Sequence, residues 1–441
     1  MMLKRKIYNT LLKWKKDKHK ECLFIKGARQ VGKTYIARAF GNAEYGSFIE
    51  INFLKQPSLK SIFEGDLDAD EIYKRMTAHL PGIRLVEGDT LIFLDEIQTC
   101  AKARTALKFL AQDDRFDLIT SGSLLGLHYG QDADKTVEPV ESIPVGYEQQ
   151  IVMYSMDFEE FLWAYGYEND TIEYLKEFFI NKTKVPADIN SKFESIFREY
   201  MVVGGMPEVV DAFIRDKDFG IVQRVQEKIL AAYDDDISNH AKGAEKTKIR
   251  NCYRSLPQQL ARENKKFMYS SVEKKSTARK YSDSVEWLKD LNLVHVAHNV
   301  FEPYIPLLAN AKGKEFKLYV NDSGLLMALY GVQSKLALLE NTLLGSAKGG
   351  IYENVISELL IKNGHELYYY KTQNSSMEIE FVIEEAGEVV PVEVKAGNTS
   401  TASLNSYISK FKPNIAYKLV NGNIGTDGNR VTIPHYMVMF I

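Results

Sequence analysis

The sequence predicts an α/β protein that opens with a parallel sheet and closes with a second α/β region. Three features predict this class: a glycine-rich loop between an apolar strand and a helix, an apolar strand that ends in two carboxylates, and two alternating strands near the C-terminus. At 441 residues the chain is too long for one core. Since domains commonly hold about 100–200 residues, two to four domains are expected.

The composition is that of an ordinary globular protein, with 45% hydrophobic and 26% charged residues. The net charge of -3 excludes a polycation, so any nucleic-acid surface must be local. The three cysteines are widely separated, which favours neither a disulfide framework nor a zinc site. The basic N-terminus lacks the apolar core of a signal peptide, and no run approaches the roughly 18 apolar residues that span a bilayer. We therefore expect a cytoplasmic protein without a membrane partner.

The first chemical motif is GARQVGKT, from Gly27 to Thr34. It lies between an apolar strand and helical sequence, which is the context of the phosphate-binding P-loop. Glycines at both ends let the backbone N–H groups face phosphate oxygens. Lys33 can reach the β- and γ-phosphates, and the Thr34 hydroxyl can ligate magnesium. The predicted cofactors are ATP and Mg²⁺. The predicted nucleotide-binding residues are Gly27, Ala28, Arg29, Gln30, Val31, Gly32, Lys33, Thr34, Tyr35 and Ser121.

Two further strands complete the predicted ATP site. DTLIFLDEIQ contains the continuous apolar run Leu91–Leu94, which is typical of a parallel strand covered on both faces, and Asp95 and Glu96 follow that run. Asp95 would hold magnesium through water, and Glu96 would orient or deprotonate the attacking water. The strand FDLITSGS ends in Ser121 and Ser123, which either sense the γ-phosphate or belong to an ordinary turn. The acidic segment Tyr129–Gly146 is expected to be exposed and mobile.

Helical periodicity dominates the next region. Asp157 is a good N-cap before DFEEFL, and the Gly204–Gly205 pair predicts a turn between helices. A helical bundle here is either a lid that senses ATP or plain packing. The acidic run DDDI, from Asp234 to Ile237, predicts a solvated helix face, because consecutive residues point around a helix rather than converge.

A local excess of positive charge follows. The segment Lys246–Lys280 contains 11 Lys or Arg and two Asp or Glu. The pattern predicts three helices, a strand, a loop around Asn310–Lys314 and a second strand, which is the order of a winged helix-turn-helix. In that case the helix from about Thr277 would place Arg279 and Lys280 in the major groove of double-stranded DNA. The alternative is a winged helix that packs on protein.

The order of the motifs carries a family resemblance. GARQVGKT, LDEIQ, SGS, DFEEFL and VGGMP occur in sequence, and the chain resembles a bacterial and archaeal AAA+-type ATPase family whose C-terminal half was long catalogued as of unknown function. The resemblance implies that Lys33, Thr34, Asp95 and Glu96 form the ATP site. It also makes a homo-oligomer an open expectation, since AAA+-like proteins often act as rings.

The chain departs from that family at one position. Family members commonly carry Gly-Arg before the strand that precedes DFEEFL, whereas this sequence has Gly146–Tyr147. The arginine that would act on the γ-phosphate is therefore unassigned. Arg104 and Arg115 are available without a reason to prefer either.

The C-terminal region carries a second resemblance. The sequence predicts helix, strand, hairpin and helix, with EIEFVIEEAGEVVPVEVKAG as the hairpin, and this order resembles the restriction-endonuclease-like fold. The resemblance implies a metal site of Glu380, Glu393 and Lys395, with Glu353 added from the preceding helix. Glu380 stands where that fold usually has Asp. The same alternation occurs in any half-exposed strand, so an active nuclease is left open.

These features predict four domains: a P-loop AAA+-like core at 1–165, a helical lid at 166–245, a winged helix-turn-helix at 246–335 and a restriction-endonuclease-like domain at 336–441. The favoured function is a Mg²⁺-dependent ATP-hydrolysing switch or motor that acts on DNA. Two alternatives remain: an ATP-gated, metal-dependent DNA nuclease, and a nucleotide-dependent scaffold or signalling ATPase without nucleic acid.

Overall fold

A computed structural model of the protein describes residues 3–17, 21–122, 146–241, 243–373, 377–397 and 400–441. Ser123 and nearly all of the acidic segment 129–146 lie outside the described residues. The chain divides into two compact units. The first unit comprises residues 5–154 and 235–243, and the second comprises residues 1–4, 155–234 and 244–441.

The first unit is built on a five-stranded sheet in the order β2-β3-β4-β1-β5, in which every neighbouring pair is parallel. Its strands are β1 (Cys22–Lys26), β2 (Ser47–Asn52), β3 (Thr90–Asp95), β4 (Asp117–Ser121) and β5 (Glu148–Val152). Its helices include α1 (Ile7–Lys16), α2 (Lys33–Glu44), α3 (Ala69–His79) and α4 (Ala101–Asp113), with short 3₁₀ turns at Pro57–Phe63 and Ile97–Thr99.

The burial of the strands follows from their sequences. All six residues of β3 are buried, as expected for an apolar strand covered by helices on both faces. Its side chains join a core with α3 and α4 that includes Ile92, Leu94 and Leu107. Because the strands are parallel, the carboxyl ends of β1, β3 and β4 meet at one edge of the sheet. This confirms the predicted α/β class with a parallel sheet.

The second unit begins with helices. Asp157 caps α5 through a full capping box, in which it accepts from the Glu160 amide and Glu160 accepts from the Asp157 amide. The Gly204–Gly205 pair separates two helices as expected. The helices are α5 (Phe158–Tyr165), α6 (Asn169–Asn181), α7 (Ala187–Val203), α8 (Pro207–Asp216) and α9 (Phe219–His240), the last of which runs into the residues assigned to the first unit.

Three helices and two antiparallel strands follow, in the order that the sequence predicts. They are α10 (Ala244–Leu260), α11 (Tyr269–Val272), α12 (Ala278–Asp290), β6 (Val294–Val300) and β7 (Ala311–Val320). The loop position was wrong: residues 311–314 belong to β7, and the connection spans residues 301–310 with a 3₁₀ turn at Leu307–Asn310. The winged-helix assignment stays a prediction.

The remaining elements complete a mixed eight-stranded sheet in the order β12-β13-β11-β10-β9-β8-β6-β7. They are α13 (Ser323–Tyr330), α14 (Val332–Leu339), α15 (Gly345–Lys362), β8 (Tyr368–Lys371), β9 (Glu378–Glu385), β10 (Glu388–Lys395), α16 (Ala402–Phe411), β11 (Ala416–Val420), β12 (Gly425–Asp427), β13 (Arg430–Pro434) and a 3₁₀ helix, His435–Phe440. Strand β6 pairs with β8, so one sheet crosses the predicted boundary at 335 and 336. The four-domain division stays a prediction.

The predicted C-terminal hairpin is present. Strands β9 and β10 are antiparallel and are joined by Ala386 and Gly387, with φ of 50° and 80°. Two consecutive positive φ angles are what a tight two-residue hairpin turn requires. Among the parts of the chain that the structure describes, there is no helix with the length and apolar character needed to cross a membrane.

Candidate functional site

The loop between β1 and α2 has the curled backbone that the motif predicts. Gly27, Gln30 and Gly32 have φ of 153°, 66° and 98°. A Cβ on Gly27 would lie 2.2 Å from the carbonyl oxygen of Met153, which follows β5. Glycine at this position is therefore required both by the dihedral angle and by the close approach of a neighbouring backbone.

Lys33, the first residue of α2, is folded onto this loop. Its Nζ donates to the carbonyl oxygens of Gly27 and Ala28, each at 2.8 Å. Burial lowers the pKa of Lys33, while the nearby carboxylates of Glu96 and Asp95 act in the opposite direction. The loop thus holds the ammonium at the end of the curled backbone, where a phosphate group would find both the charge and the helix N-terminus.

Asp95, at the end of β3, is the centre of a polar cluster. Its Oδ2 accepts from Thr34 Oγ1 at 3.0 Å and from Asn52 Nδ2 at 2.8 Å. Its Oδ1 accepts from the hydroxyl of Ser121 and from the Glu96 amide. Three strand ends and the first turn of α2 therefore converge on one buried carboxylate. Thr34 and Asp95 supply the hard oxygen atoms that Mg²⁺ prefers, so these residues fit a phosphate-bound magnesium ion.

Glu96 follows in a left-handed conformation, with φ of 57°. Its carboxylate accepts from Gln98 Nε2 at 2.7 Å. A Cβ on Gly122, after β4, would lie 2.3 Å from Gln98 Oε1, so Gly122 leaves room for this glutamine. A non-glycine residue held in this sparsely populated region costs of order 1–3 kcal/mol and is a common feature of functional sites.

The other predicted nucleotide residues lie around the same loop. Ala28 and Val31 are buried against the unit, whereas Tyr35 is 48% exposed. Arg29 forms an ion pair with Asp236 at the end of α9. Ser121 is buried on Asp95, and its role as a γ-phosphate sensor stays a prediction.

Sequence reasoning missed Asn52 and Gln98. Asn52 ends β2 and is directly opposite Asp95 in the sheet register. A polar residue at the carboxyl end of a strand was the available signal, since ligands bind at that edge of an α/β sheet. Gln98 had no such signal, because its contact with Glu96 depends on the short 3₁₀ turn that follows β3.

Both arginines considered for the γ-phosphate have other partners. Arg104 is 3% exposed, pairs with Glu148 of β5 and lies 5.0 Å from the centroid of the Phe24 ring. Arg115 pairs with Asp113 and Asp70. Each makes a structural ion pair within the first unit, so the structure supports neither as the acting arginine.

The residues predicted for the C-terminal metal site lie close together, but their carboxylates form ion pairs with lysines. Lys395 Nζ lies 3.3 Å from a carboxylate oxygen of both Glu380 and Glu393. Glu353 is paired with Lys265 at 2.8 Å and with Lys317 at 3.5 Å. Burial raises the pKa of Glu380 to about 7, with Glu353 and Glu393 adding to the shift. Within the described ranges, no group of three or more His, Cys, Asp or Glu side chains is placed to hold a metal ion. The second metal site stays a prediction.

Several cations of the basic segment are paired with acids, including Lys280, which pairs with Glu273 inside the segment itself. Four of its cations bind acids elsewhere in the second unit: Arg250 and Arg254 bind Asp234, Lys265 binds Glu353 and Lys266 binds Glu315. The DDDI run is therefore not simply a solvated face, because Asp234 and Asp236 make ion pairs and only Asp235 is exposed. Exposed cations gather at the start of α12: Lys274, Lys275, Arg279 and Lys280.

Comparison with known families agrees with this geometry. Residues 19–162 match a family described as an AAA domain, and these residues contain the loop, β3 and Asp95. The chain contains an AAA domain. Residues 194–336 match the domain of unknown function DUF8612, and residues 348–436 match the domain of unknown function DUF4143. The family resemblance is confirmed: an AAA-type domain is joined to a C-terminal domain of unknown function.

The individual relatives found by sequence match only part of the chain. Two uncharacterized proteins, of Mycobacterium bovis and Mycobacterium tuberculosis, are each 32% identical over 130 residues, which is 30% of this chain and 27% of each relative. The chain thus matches about a quarter of the length of these relatives. Among solved structures, the Walker-type ATPase paby2304 of Pyrococcus abyssi is 14% identical, with a TM-score of 0.43 over 75% of this chain and 96% of that chain. The Orc1 protein of Aeropyrum pernix, solved with DNA, is also 14% identical, with a TM-score of 0.29 over 77% and 93%.

Proposed function

We propose that this AAA-domain protein binds and hydrolyses ATP with Mg²⁺ at the edge of the five-stranded sheet. The observation that carries the proposal is the convergence of Thr34, Asn52 and Ser121 on Asp95 beside the Lys33 loop. These groups offer a cation, a ring of backbone donors and oxygen ligands for a divalent ion, which together match a nucleoside triphosphate.

Each residue has a distinct role in this proposal. The loop amides and the Lys33 ammonium bind and orient the phosphates, and Thr34 with Asp95 would hold the metal. A bound Mg²⁺ supplies neutralisation of the charge on the β- and γ-phosphate oxygens. Glu96, held by Gln98, orients the attacking water and accepts its proton. Asn52 and Ser121 keep the Asp95 carboxylate in one orientation.

The first experiment separates binding from hydrolysis. Lys33→Ala should abolish ATP turnover and weaken nucleotide binding, because the ammonium is lost from the phosphate site. Glu96→Gln should retain ATP binding but lower turnover by about 10²- to 10⁴-fold, as expected for a lost general base. Lys74→Ala, which removes an exposed lysine of α3, is the control and should behave like the parent. ATP hydrolysis by Lys33→Ala at the parental rate would disprove the assignment.

We further propose that the second unit binds double-stranded DNA through the start of α12. The supporting observation is that Lys274, Lys275, Arg279 and Lys280 are all exposed there, while four neighbouring basic residues are neutralised by acids. Lys280 also pairs with Glu273 at 2.6 Å. Because an exposed ion pair of this kind contributes little stability, these cations remain available for phosphate groups.

Duplex binding over a salt series tests this second proposal. Log affinity should fall linearly with log salt, with a slope of about 0.9 per phosphate contact. The double variant Arg279→Ala/Lys275→Ala should reduce the magnitude of that slope by about 2, which corresponds to the loss of two phosphate contacts. Lys289→Ala, at the other end of α12, should leave it unchanged. A flat salt profile for the parent would instead favour the scaffold or signalling alternative.

A further inference from the structure

Arg5 lies outside every ATPase motif, yet it contacts the phosphate-binding loop. Arg5 is 7% exposed, and its Nη1 donates to the carbonyl oxygen of Val31 at 2.9 Å. Its Nη2 donates to the carbonyl oxygen of Tyr154 at 2.7 Å. The guanidinium fork therefore joins the loop to the segment that follows β5.

The N-terminal helix explains how Arg5 reaches this place. Helix α1 buries Leu11 and Trp14, and Trp14 Nε1 donates to the carbonyl of Glu21, just before β1. Tyr8 donates to Glu44 at 2.8 Å and its ring packs edge-on against Phe40 of α2. Because α1 is docked on α2 and on the start of β1, Arg5, two residues before α1, is held against the loop.

The contact with Val31 has a geometric consequence for phosphate binding. A peptide unit is planar and trans, so the carbonyl of Val31 and the amide N–H of Gly32 point in opposite directions. Arg5 holds the carbonyl of Val31 on the side of the peptide that faces the guanidinium. The Gly32 N–H is thereby directed away from Arg5, and the next residue, Lys33, folds its Nζ onto the carbonyls of Gly27 and Ala28. Gly32, with φ of 98°, has no Cβ that would restrict rotation of this peptide.

The second contact fixes the other wall of the loop. Tyr154 follows Met153, whose amide donates to the Lys26 carbonyl at 2.7 Å and whose carbonyl oxygen fills the space that a side chain on residue 27 would need. Arg5 thus holds the Tyr154 carbonyl, one residue after the Met153 carbonyl that packs against Gly27. A buried guanidinium is costly unless its donors are satisfied, so such a placement needs a compensating role.

We propose that Arg5 is a positioning residue for nucleotide binding, which holds the Val31–Gly32 peptide with its N–H toward the phosphates. This inference rests on the proposed ATP site. In this role Arg5 does not touch the nucleotide but pre-organises the anion-binding backbone. Without Arg5, part of the binding free energy would be used to order that backbone, so the nucleotide would bind more weakly.

The test measures nucleotide affinity apart from stability. ATP and ADP affinities, with and without Mg²⁺, are measured by calorimetry for the full chain and for Arg5→Ala and Arg5→Lys. We expect at least a tenfold loss of affinity for Arg5→Ala, equal for ATP and ADP, because the loop amides bind the phosphates that both share. Arg5→Lys should recover only part of the loss, since a single ammonium cannot reproduce the two-pronged contact. Millimolar guanidinium should partly restore the affinity of Arg5→Ala.

The control is Lys13→Ala, which removes an exposed cation from α1. It should bind nucleotide like the parent. Melting temperatures without nucleotide separate a structural role from positioning: a lower melting temperature with unchanged ATP and ADP affinity would overturn the inference. If Arg5→Ala does not fold, the affinities of Arg5→Lys and Arg5→Gln decide in the same way. A parent that binds no nucleotide refutes the proposed function itself, whereas a parent that binds as tightly as its Arg5 variants refutes only the role of Arg5.

Discussion

The ion pair of Arg104 and Glu148 makes a prediction that separates folding from catalysis. Both side chains are almost completely buried, with exposures of 3% and 4%, and Arg104 Nη2 donates to Glu148 Oε1 at 2.9 Å. Arg104→Ala leaves the Glu148 carboxylate buried without its main partner. Removing one member of such a pair costs about 3–5 kcal/mol, because the remaining charge has lost its compensation.

The double variant supplies the magnitude of the coupling. Arg104→Met with Glu148→Met removes both charges and retains apolar volume beside the Phe24 ring. We expect this pair to lose far less stability than either single variant, with a coupling of about 2 kcal/mol or more. The same variants should hydrolyse ATP at the parental rate per folded molecule, because the pair joins α4 to the first residue of β5, away from the strand ends that carry Asp95 and Ser121.

Urea unfolding followed by fluorescence, with ATP turnover measured at a temperature where every variant is folded, tests both statements. If the stability lost by the double variant equals the sum of the losses of Arg104→Met and Glu148→Met alone, the buried-pair argument is refuted. Normal stability combined with abolished turnover in Arg104→Ala would instead make Arg104 the missing arginine of the ATP site.

Three other predictions concern separate parts of the molecule. Asn52→Ala should raise the Mg²⁺ concentration that ATP binding requires by about tenfold, because Asp95 loses an orienting donor; Asn42→Ala is the exposed control, and an unchanged Mg²⁺ titration would exclude this role. Burial lowers the pKa of His435 to about 3, so its proton binds only the unfolded chain between about pH 3 and 6.5, and stability should fall as pH falls through that range. This group alone should cost about 2 kcal/mol between pH 7 and 5, and a pH–stability curve for His435→Gln as steep as that of the parent would contradict the assignment. Gly205→Ala should destabilise the second unit by at least 1–3 kcal/mol, because its Cβ would lie 1.9 Å from the Met156 carbonyl oxygen, whereas Gly313→Ala meets nothing within 4 Å and should melt like the parent.

Much of the proposed ATP site could be predicted because its parts obey local rules. A strand, a glycine loop and a helix in succession place Lys33 and Thr34, and parallel strands bring their carboxyl ends to one edge, where Asp95 meets Thr34. The C-terminal hairpin was equally accessible, because alternation and a two-residue glycine turn define its register. In both cases the information lies within a few residues of the feature.

The charged pairs could not be predicted in this way. The sequence indicates Glu380, Glu393 and Lys395 as one group, but it does not show that Glu353 is neutralised by Lys265 and Lys317, which come from other elements. The sequence also cannot show that Arg104 forms a buried ion pair with Glu148. Which opposite charges meet depends on how distant elements pack, and no short-range pattern encodes that.

The sequence by itself determined the phosphate-binding loop, the parallel sheet and the order of the later helices and strands, because backbone propensity and hydrophobic periodicity act over short distances. Tertiary structure alone decided which side chains support that loop. Arg5 reaches the loop because α1 docks on α2, and Asn52 reaches Asp95 beside the loop because β2 lies next to β3. A hydrogen bond forms only when folding has brought its donor and acceptor within about 3 Å.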